Sequence, residues 1–304
     1  MSLDLVERIA NAVLYEGYIL YPYRPSSVKN RRRFNFGVLV PPAYAAAQTG
    51  AESSVMRTEC LVCGNSGTML DVRVRFLRVI AESEQQSWQS AIEREVCLAE
   101  RSLGDLAAHG FEERFCFRAS EGPNVQGAIT VTVQSVEESL FRLAAEVANS
   151  TAWDGAPDIR RDEILPYSMA AAHTVLAVRE GQFVSLLDPA DRWREAAGAC
   201  RNVGTWPVLA GEPGECGYML SSPIILYDYP QIAPESPGDL FDVTEIDEIL
   251  TLRIMTLTDE EKAEVRSSDE RARRILERTE SLPPEHFMKL HGALRGLRPA
   301  GDAR

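Results

Sequence analysis

The chain has 304 residues, 45% apolar and 25% charged, and its 45 acids outnumber its 32 Lys and Arg for a net charge of −13. That balance suits one large or two ordinary globular domains with a sizeable core. It argues against a general nucleic-acid binder, which carries a basic face. No apolar run approaches the roughly 20 residues that span a bilayer, and the N-terminus lacks a basic leader ahead of an apolar stretch. The six cysteines are scattered, as reduced thiols are rather than a disulfide framework, so the expectation is a cytoplasmic protein with neither membrane nor nucleic acid as partner.

Leu5, Ile9, Ala10, Val13 and Leu14 recur near helical spacing and predict an amphipathic helix from Leu3 to Tyr15. It leads into Glu16 to Arg33, an aromatic segment in which Pro22 and Pro25 end regular pairing. Its basic residues are Arg24, Lys29, Arg31, Arg32 and Arg33. Phe34 to Gly50 mixes glycine, two prolines and small residues, the composition of irregular backbone laid over another surface. Cys60 and Cys63 have the spacing of a zinc knuckle or redox pair, but a second close pair is missing, and ordinary thiols beside the turn Gly64 to Gly67 are the simpler reading.

From Asp71 onward, Val72, Val74 and Phe76 alternate with Arg73 and Arg75, as a half-buried strand requires. Trp88 to His109 reads as a helix with an apolar stripe of Ile92, Val96, Leu98 and Leu103, stopped at Gly110. Phe115 to Arg118 and Ile129 to Gln134 return to strand character, and Leu140 to Thr151 is assigned as a strand that ends at Asn149-Ser150. Further strands are predicted at Ala172 to Val178, Gln182 to Leu187, Trp206 to Leu209 and Tyr218 to Tyr227, with Arg179-Glu180-Gly181 as a hairpin turn. His173 is a candidate general base or ligand, although a hydrogen-bonded structural histidine is the simpler reading. His109 reads as a helix C-terminal residue. His286 and His291 are five apart, about 140° around a helix, and so do not face one ligand.

The aromatic-proline ending of the N-terminal segment, Tyr21-Pro22-Tyr23, returns as Tyr227-Asp228-Tyr229-Pro230, followed by a turn rich in acids: Glu235, Asp239, Asp242, Glu245, Asp247 and Glu248. The two segments look complementary, so Tyr21, Tyr23, Arg24, Tyr227, Asp228, Tyr229, Glu235, Asp239 and Asp242 are the candidate binding residues. Tyrosine suits that role because its ring buries area while its hydroxyl stays paired. The same acids could bind a hard cation or, with Thr244, cap a helix from Glu245 to about Ile254. Thr258 to Glu261 is a capping-box pattern that opens a second helix, and Pro283-Pro284-Glu285 opens a third. The fold expected is α+β: a β-rich antiparallel sandwich-like core over 1–235 with the N-terminal helix and a candidate subdivision near 120, then an acidic turn and helices over 236–304.

The common nucleotide, metalloprotease and hydrolase motifs are absent from the sequence, so catalysis has no positive support. Longer stretches carry a resemblance instead: LYEGYILYPYRPSSVKNRRRFNFG, RTECLV, DVRVRFL, HTVLAV, FVSLLDP, NVGTWPVL, and SSPIILYDYPQIAPESPGDLFD continued through TEIDEILTLRIMTLTDEEK. Together these resemble a bacterial family associated with the gene clusters of nickel-iron uptake hydrogenases and their maturation factors. The resemblance implies an accessory or assembly role, with a hydrogenase subunit or maturation factor as partner and no catalytic residue to transfer. The alternative from the residues themselves is a metal-binding or hydrolytic enzyme using His173 and carboxylates of the acidic turn.

Overall fold

The computed structural model describes residues 2–24, 26, 27, 30, 33–48, 50, 52–80, 89–119, 122–156, 158–232, 247–268 and 270–282. The chain divides into two compact units, one of residues 1–18 and 32–231, the other of 19–31 and 232–304.

The first unit opens with α1 (Ser2–Tyr15), the amphipathic helix its apolar spacing predicts. The Phe34 to Gly50 stretch is irregular apart from α2 (Pro42–Ala47), which starts on a proline as helices tolerate. Then come β1 (Val55–Cys63), β2 (Met69–Ile80), β3 (Ser90–Cys97), β4 (Arg101–Ser102), α3 (Leu103–His109), β5 (Phe111–Phe117), β6 (Val125–Glu137) and β7 (Leu140–Asn149). After α4 (Arg161–Ile164) follow β8 (Ala170–Arg179), β9 (Gln182–Val184), α5 (Arg194–Gly198), β10 (Trp206–Ala210) and β11 (Tyr218–Ser222). They form two antiparallel sheets, ordered β5-β6-β7-β1-β9 and β10-β11-β8-β2-β3, with β4 pairing β2. Strands from both sides of residue 120 enter each sheet's partner set, so one core serves all of them.

The inner faces follow period two: Leu70, Val72, Val74 and Phe76 of β2 meet Val125, Ile129, Val131 and Leu143 of the opposite sheet in one buried cluster. At one end Phe76 packs on Phe115 and Phe117 of β5, with ring centroids 6.0 and 5.6 Å away. Elsewhere a polar link joins the sheets: the Ser221 hydroxyl lies 2.7 Å from those of Thr58 and Thr205, all three buried.

Three expectations need correction. The segment from Trp88 to His109 is not one helix: Ser90–Cys97 is a strand, and only Leu103–His109 is helical. Ile92 and Val96 fit a helical stripe, but the open side of β2 takes the segment as an eight-residue partner from Arg73↔Cys97 to Ile80↔Ser90. The helix begins where Ser102 accepts from the Asp105 amide at 3.1 Å, and Gly110 at φ 62° stops it. Arg179-Glu180-Gly181 is likewise no hairpin, because β8 lies in one sheet and β9 pairs β1 in the other. The turn crosses between sheets so tightly that a Cβ on Gly181 would sit 2.6 Å from Thr68 Cγ2. Finally, the strands predicted to Leu187 and Tyr227 stop at Val184 and Ser222, the latter because Pro223 cannot donate to a ladder.

The second unit contains α6 (Asp247–Met255), α7 (Asp259–Ser268) and α8 (Glu270–Glu280) with the 19–31 segment. The capping box forms as its sequence predicts: Thr258 Oγ1 accepts from the Glu261 amide at 3.2 Å, and Glu261 accepts from the Thr258 amide at 2.9 Å. Glu280 at the end of α8 pairs with Lys262 and Arg266 of α7, at 3.2 and 2.8 Å, while Ile275 and Leu276 are buried. A separate helix α8 was not anticipated from the sequence. Thr244 and the helix at Pro283 lie outside the described residues.

Candidate functional site

Tyr21, Tyr23 and Arg24 belong to the second unit; Tyr227, Asp228 and Tyr229 belong to the first. Glu235, Asp239, Asp242 and Glu245 lie outside the described residues, as do His286 and His291.

In the second unit Arg24 is paired with acids of α7. Arg24 meets Glu261 at 2.9 Å and Glu264 at 3.7 Å, and Ser26 donates from its amide and hydroxyl to Glu264, each at 2.9 Å. Burial raises the Glu264 carboxyl, yet the Ser26 donors and Arg24 together carry it below its ordinary value. Asn30 closes the loop, accepting from the Leu20 amide at 2.8 Å and donating to the Leu20 and Arg24 carbonyls at 2.8 and 3.0 Å. Tyr21 lies edge-on to Tyr23, with the Arg253 guanidinium 5.7 Å from its ring. Tyr23 itself is buried, which overturns its assignment as an exposed anchor: its ring fills space instead of presenting a surface.

The first-unit segment is built around an edge strand. Strand β10 ends its sheet, so the N–H and C=O of Leu209, which alternation turns away from β11, need partners. Asp228 Oδ1 accepts from the Leu209 amide at 2.8 Å, and the Tyr229 amide donates to the Leu209 carbonyl at 2.7 Å. The other Asp228 oxygen accepts from Ser185 at 2.5 Å. Pro207, two residues back along the same edge, has no N–H to satisfy. Asp228 is thus a strand-edge cap, not a free binding carboxylate. Tyr229 takes φ 57°, in the left-handed region, to make its contact. Its hydroxyl is pushed up to about 12 by burial and by Cys216, 3.7 Å away. What the brace leaves outward is Tyr227, 85% exposed, and Ile225, 73% exposed.

His173 is in the middle of β8, opposite Arg75 on β2, and fully buried. Ala172 and Leu176 face the core between the sheets, so alternation turns His173 to the opposite face, where α1 packs on β8. Its Nδ1 lies 2.8 Å from the Ala171 carbonyl; a carbonyl only accepts, so Nδ1 carries the proton. Nε2 has no hydrogen-bond partner. Burial, then the Arg75 charge, hold its pKa down to about 4, so the ring is neutral at pH 7. This is the structural histidine the sequence allowed, closed off from a substrate. His109 is the last residue of α3, with Nδ1 3.1 Å from Asp105 Oδ1 one turn earlier.

The six cysteines are all unpaired. Cys60 and Cys63, an odd number apart on β1, point to opposite faces, Cys60 into the core and Cys63 outward. They cannot share a metal, and among the described residues no group of three His, Cys, Asp or Glu is placed to hold one. A cavity of about 290 Å³ lies on the outer face of β2 and β8, beside Leu3, Val175 and Tyr218. Its cations are already matched, Arg179 to Glu100 at 2.5 Å and Arg73 to Glu7 at 3.4 Å. No described helix is long and apolar enough to cross a membrane. No family model matches the chain, and a search of curated proteins found no match.

Proposed function

We propose that the protein is an accessory or assembly factor of a nickel-iron hydrogenase, acting in the cytoplasm by binding a hydrogenase subunit or a maturation factor. Two things support this reading: the resemblance carried by the long sequence stretches above, and the presentation of Tyr227. Tyr227, 85% exposed, and Ile225, 73% exposed two residues before it, put two large apolar side chains into solvent on one loop. Here the loop is held by Asp228 and Tyr229 on a rigid sheet edge. Rigid presentation of an amphipathic ring lowers the ordering cost of docking, and that is how interface anchors gain affinity.

The test is affinity capture of the tagged chain from cells that express a nickel-iron hydrogenase operon, with an Ile225→Ala/Tyr227→Ala variant alongside. Recovery of a hydrogenase subunit or maturation factor, at least about tenfold reduced in the variant, is the expected result; a hot-spot aromatic is worth about 2 kcal/mol or more. Capture of no hydrogenase-related protein would overturn the assignment, and equal capture by the variant would remove the loop from it.

A further inference from the structure

Three arginines of β2 have different surroundings. Arg73 is matched to Glu7 and Asp71, at 3.4 and 3.5 Å, and Arg75 to Glu93 and Glu95, at 3.5 and 3.4 Å. Arg78 is the most buried, 4% exposed, and among the described residues it meets no carboxylate. Its Nη1 and Nη2 donate to the carbonyls of Arg118 and Pro123, at 3.1 and 2.9 Å, and its Nε is buried without a partner.

A second cation stands beside it. The β2–β3 register pairs Phe76 with Arg94 and Arg78 with Ile92, so Arg78 and Arg94 share a face as diagonal neighbours, with Cβ atoms about 7–8 Å apart. Arg94 donates from Nη1 to the Glu93 carbonyl at 3.1 Å, lies 5.4 Å over the Phe117 ring, and also has a buried, unpartnered Nε. Burial and the Arg94 charge push the Arg78 guanidinium below its ordinary value. In a chain with a net charge of −13, carboxylates are abundant, yet among the described residues neither arginine meets one. Ile92, 45% exposed, shows that solvent reaches this rim, where β3 of one sheet and β5 of the other lie together.

We propose that Arg78 and Arg94 form a binding site for a small oxyanion at this end of the sandwich. The two carbonyls orient the Arg78 fork, Phe117 supports the Arg94 plane, and the unpartnered Nε–H groups supply donors. A guanidinium pair so held recognises the oxygens of phosphate or of a carboxylate through charge-assisted bonds.

The experiment is titration of the full chain with inorganic phosphate, and separately with acetate, at ionic strength held constant with sodium chloride. It is read by the arginine Nε–H signals in proton–nitrogen NMR and by the thermal midpoint. The expected result is a saturable shift of two Nε–H signals. Affinity should fall about tenfold in Arg94→Gln, the loss of one charge-assisted bond, and stay unchanged in Arg114→Gln, an exposed residue already paired to Glu112. Arg94 is half-buried at a sheet edge, so its variant keeps the fold that loss of Arg78 could endanger. Response to phosphate alone assigns a tetrahedral anion, and response to acetate assigns a carboxylate. No saturable response to either, or one unchanged in Arg94→Gln, overturns the proposal.

Discussion

Acidification should unfold the first unit through His173. In the folded state the ring is neutral, with its only proton on Nδ1 engaged by the Ala171 carbonyl at 2.8 Å and Nε2 without an acceptor. A second proton would have to sit on Nε2 in a fully buried place opposite Arg75. The folded pKa is about 4 against 6.5 unfolded, so between those values the unfolded chain binds a proton that the folded one refuses, and stability falls as pH falls. The slope is about 1.4 kcal/mol per pH unit. Integrated from pH 7.5 to 4.5, the loss is about 2.5 kcal/mol, a large share of the stability of an ordinary domain. All four tryptophans, residues 88, 153, 193 and 206, belong to the first unit, so urea unfolding followed by tryptophan fluorescence reports on it alone. His173→Asn keeps an amide donor for the Ala171 carbonyl and cannot titrate. Wild type should lose about 2.5 kcal/mol more than this variant over the interval; equal losses would show that the ring is not held neutral by its surroundings.

Other outcomes follow from the same geometry. Asp228→Ala strips the Leu209 amide and Ser185 hydroxyl of their acceptor and should cost about 1–3 kcal/mol in urea unfolding, whereas Tyr227→Ala, which removes an exposed ring, should change stability by less than about 0.5 kcal/mol. Thr258→Ala breaks the capping box and should cost the second unit about 1 kcal/mol, seen as faster amide exchange at the start of α7 with tryptophan fluorescence unmoved. Gly37→Ala places a Cβ 2.7 Å from Pro223 Cγ at φ 54° and should lower the thermal midpoint of the first unit by several degrees. The readings of Asp228, Thr258 and Gly37 fail if urea unfolding, amide exchange or melting of the respective variant matches wild type, and that of Tyr227 fails if its variant is destabilised like Asp228→Ala.

Much of the fold was legible because its signal is local. Period two in β2 and β6, helical spacing in α1 and the Thr258 to Glu261 box each depend on a few neighbouring residues, and each formed as expected. The failures involve residues whose state is decided far along the chain. Ser90–Cys97 fits a helical stripe as well as a strand until the open side of β2 selects the strand, and the Arg179 to Gly181 turn looks like a hairpin until β9 is claimed by β1 of the other sheet. Both errors share a cause, since sequence patterns carry the period of a segment but not the identity of its partner.

The site shows the same division more sharply. Arg24 reads as a base facing the acidic turn, whose residues 233–246 lie outside the described ones; the acids that meet it within its unit are Glu261 and Glu264 on α7, of which Glu261 reads in the sequence only as the closing residue of the capping box. Asp228, between two tyrosines, looked like part of a docking motif; its task depends on an unpaired amide at Leu209 that exists only because β10 is an edge. Arg78 breaks the β2 alternation, standing on the face of Val72, Val74 and Phe76. It is buried in the structure, where the carbonyls of Arg118 and Pro123 take two of its donors. A charge becomes informative through what surrounds it: arginines with partners describe the surface, and a buried pair without carboxylates asks for an anion.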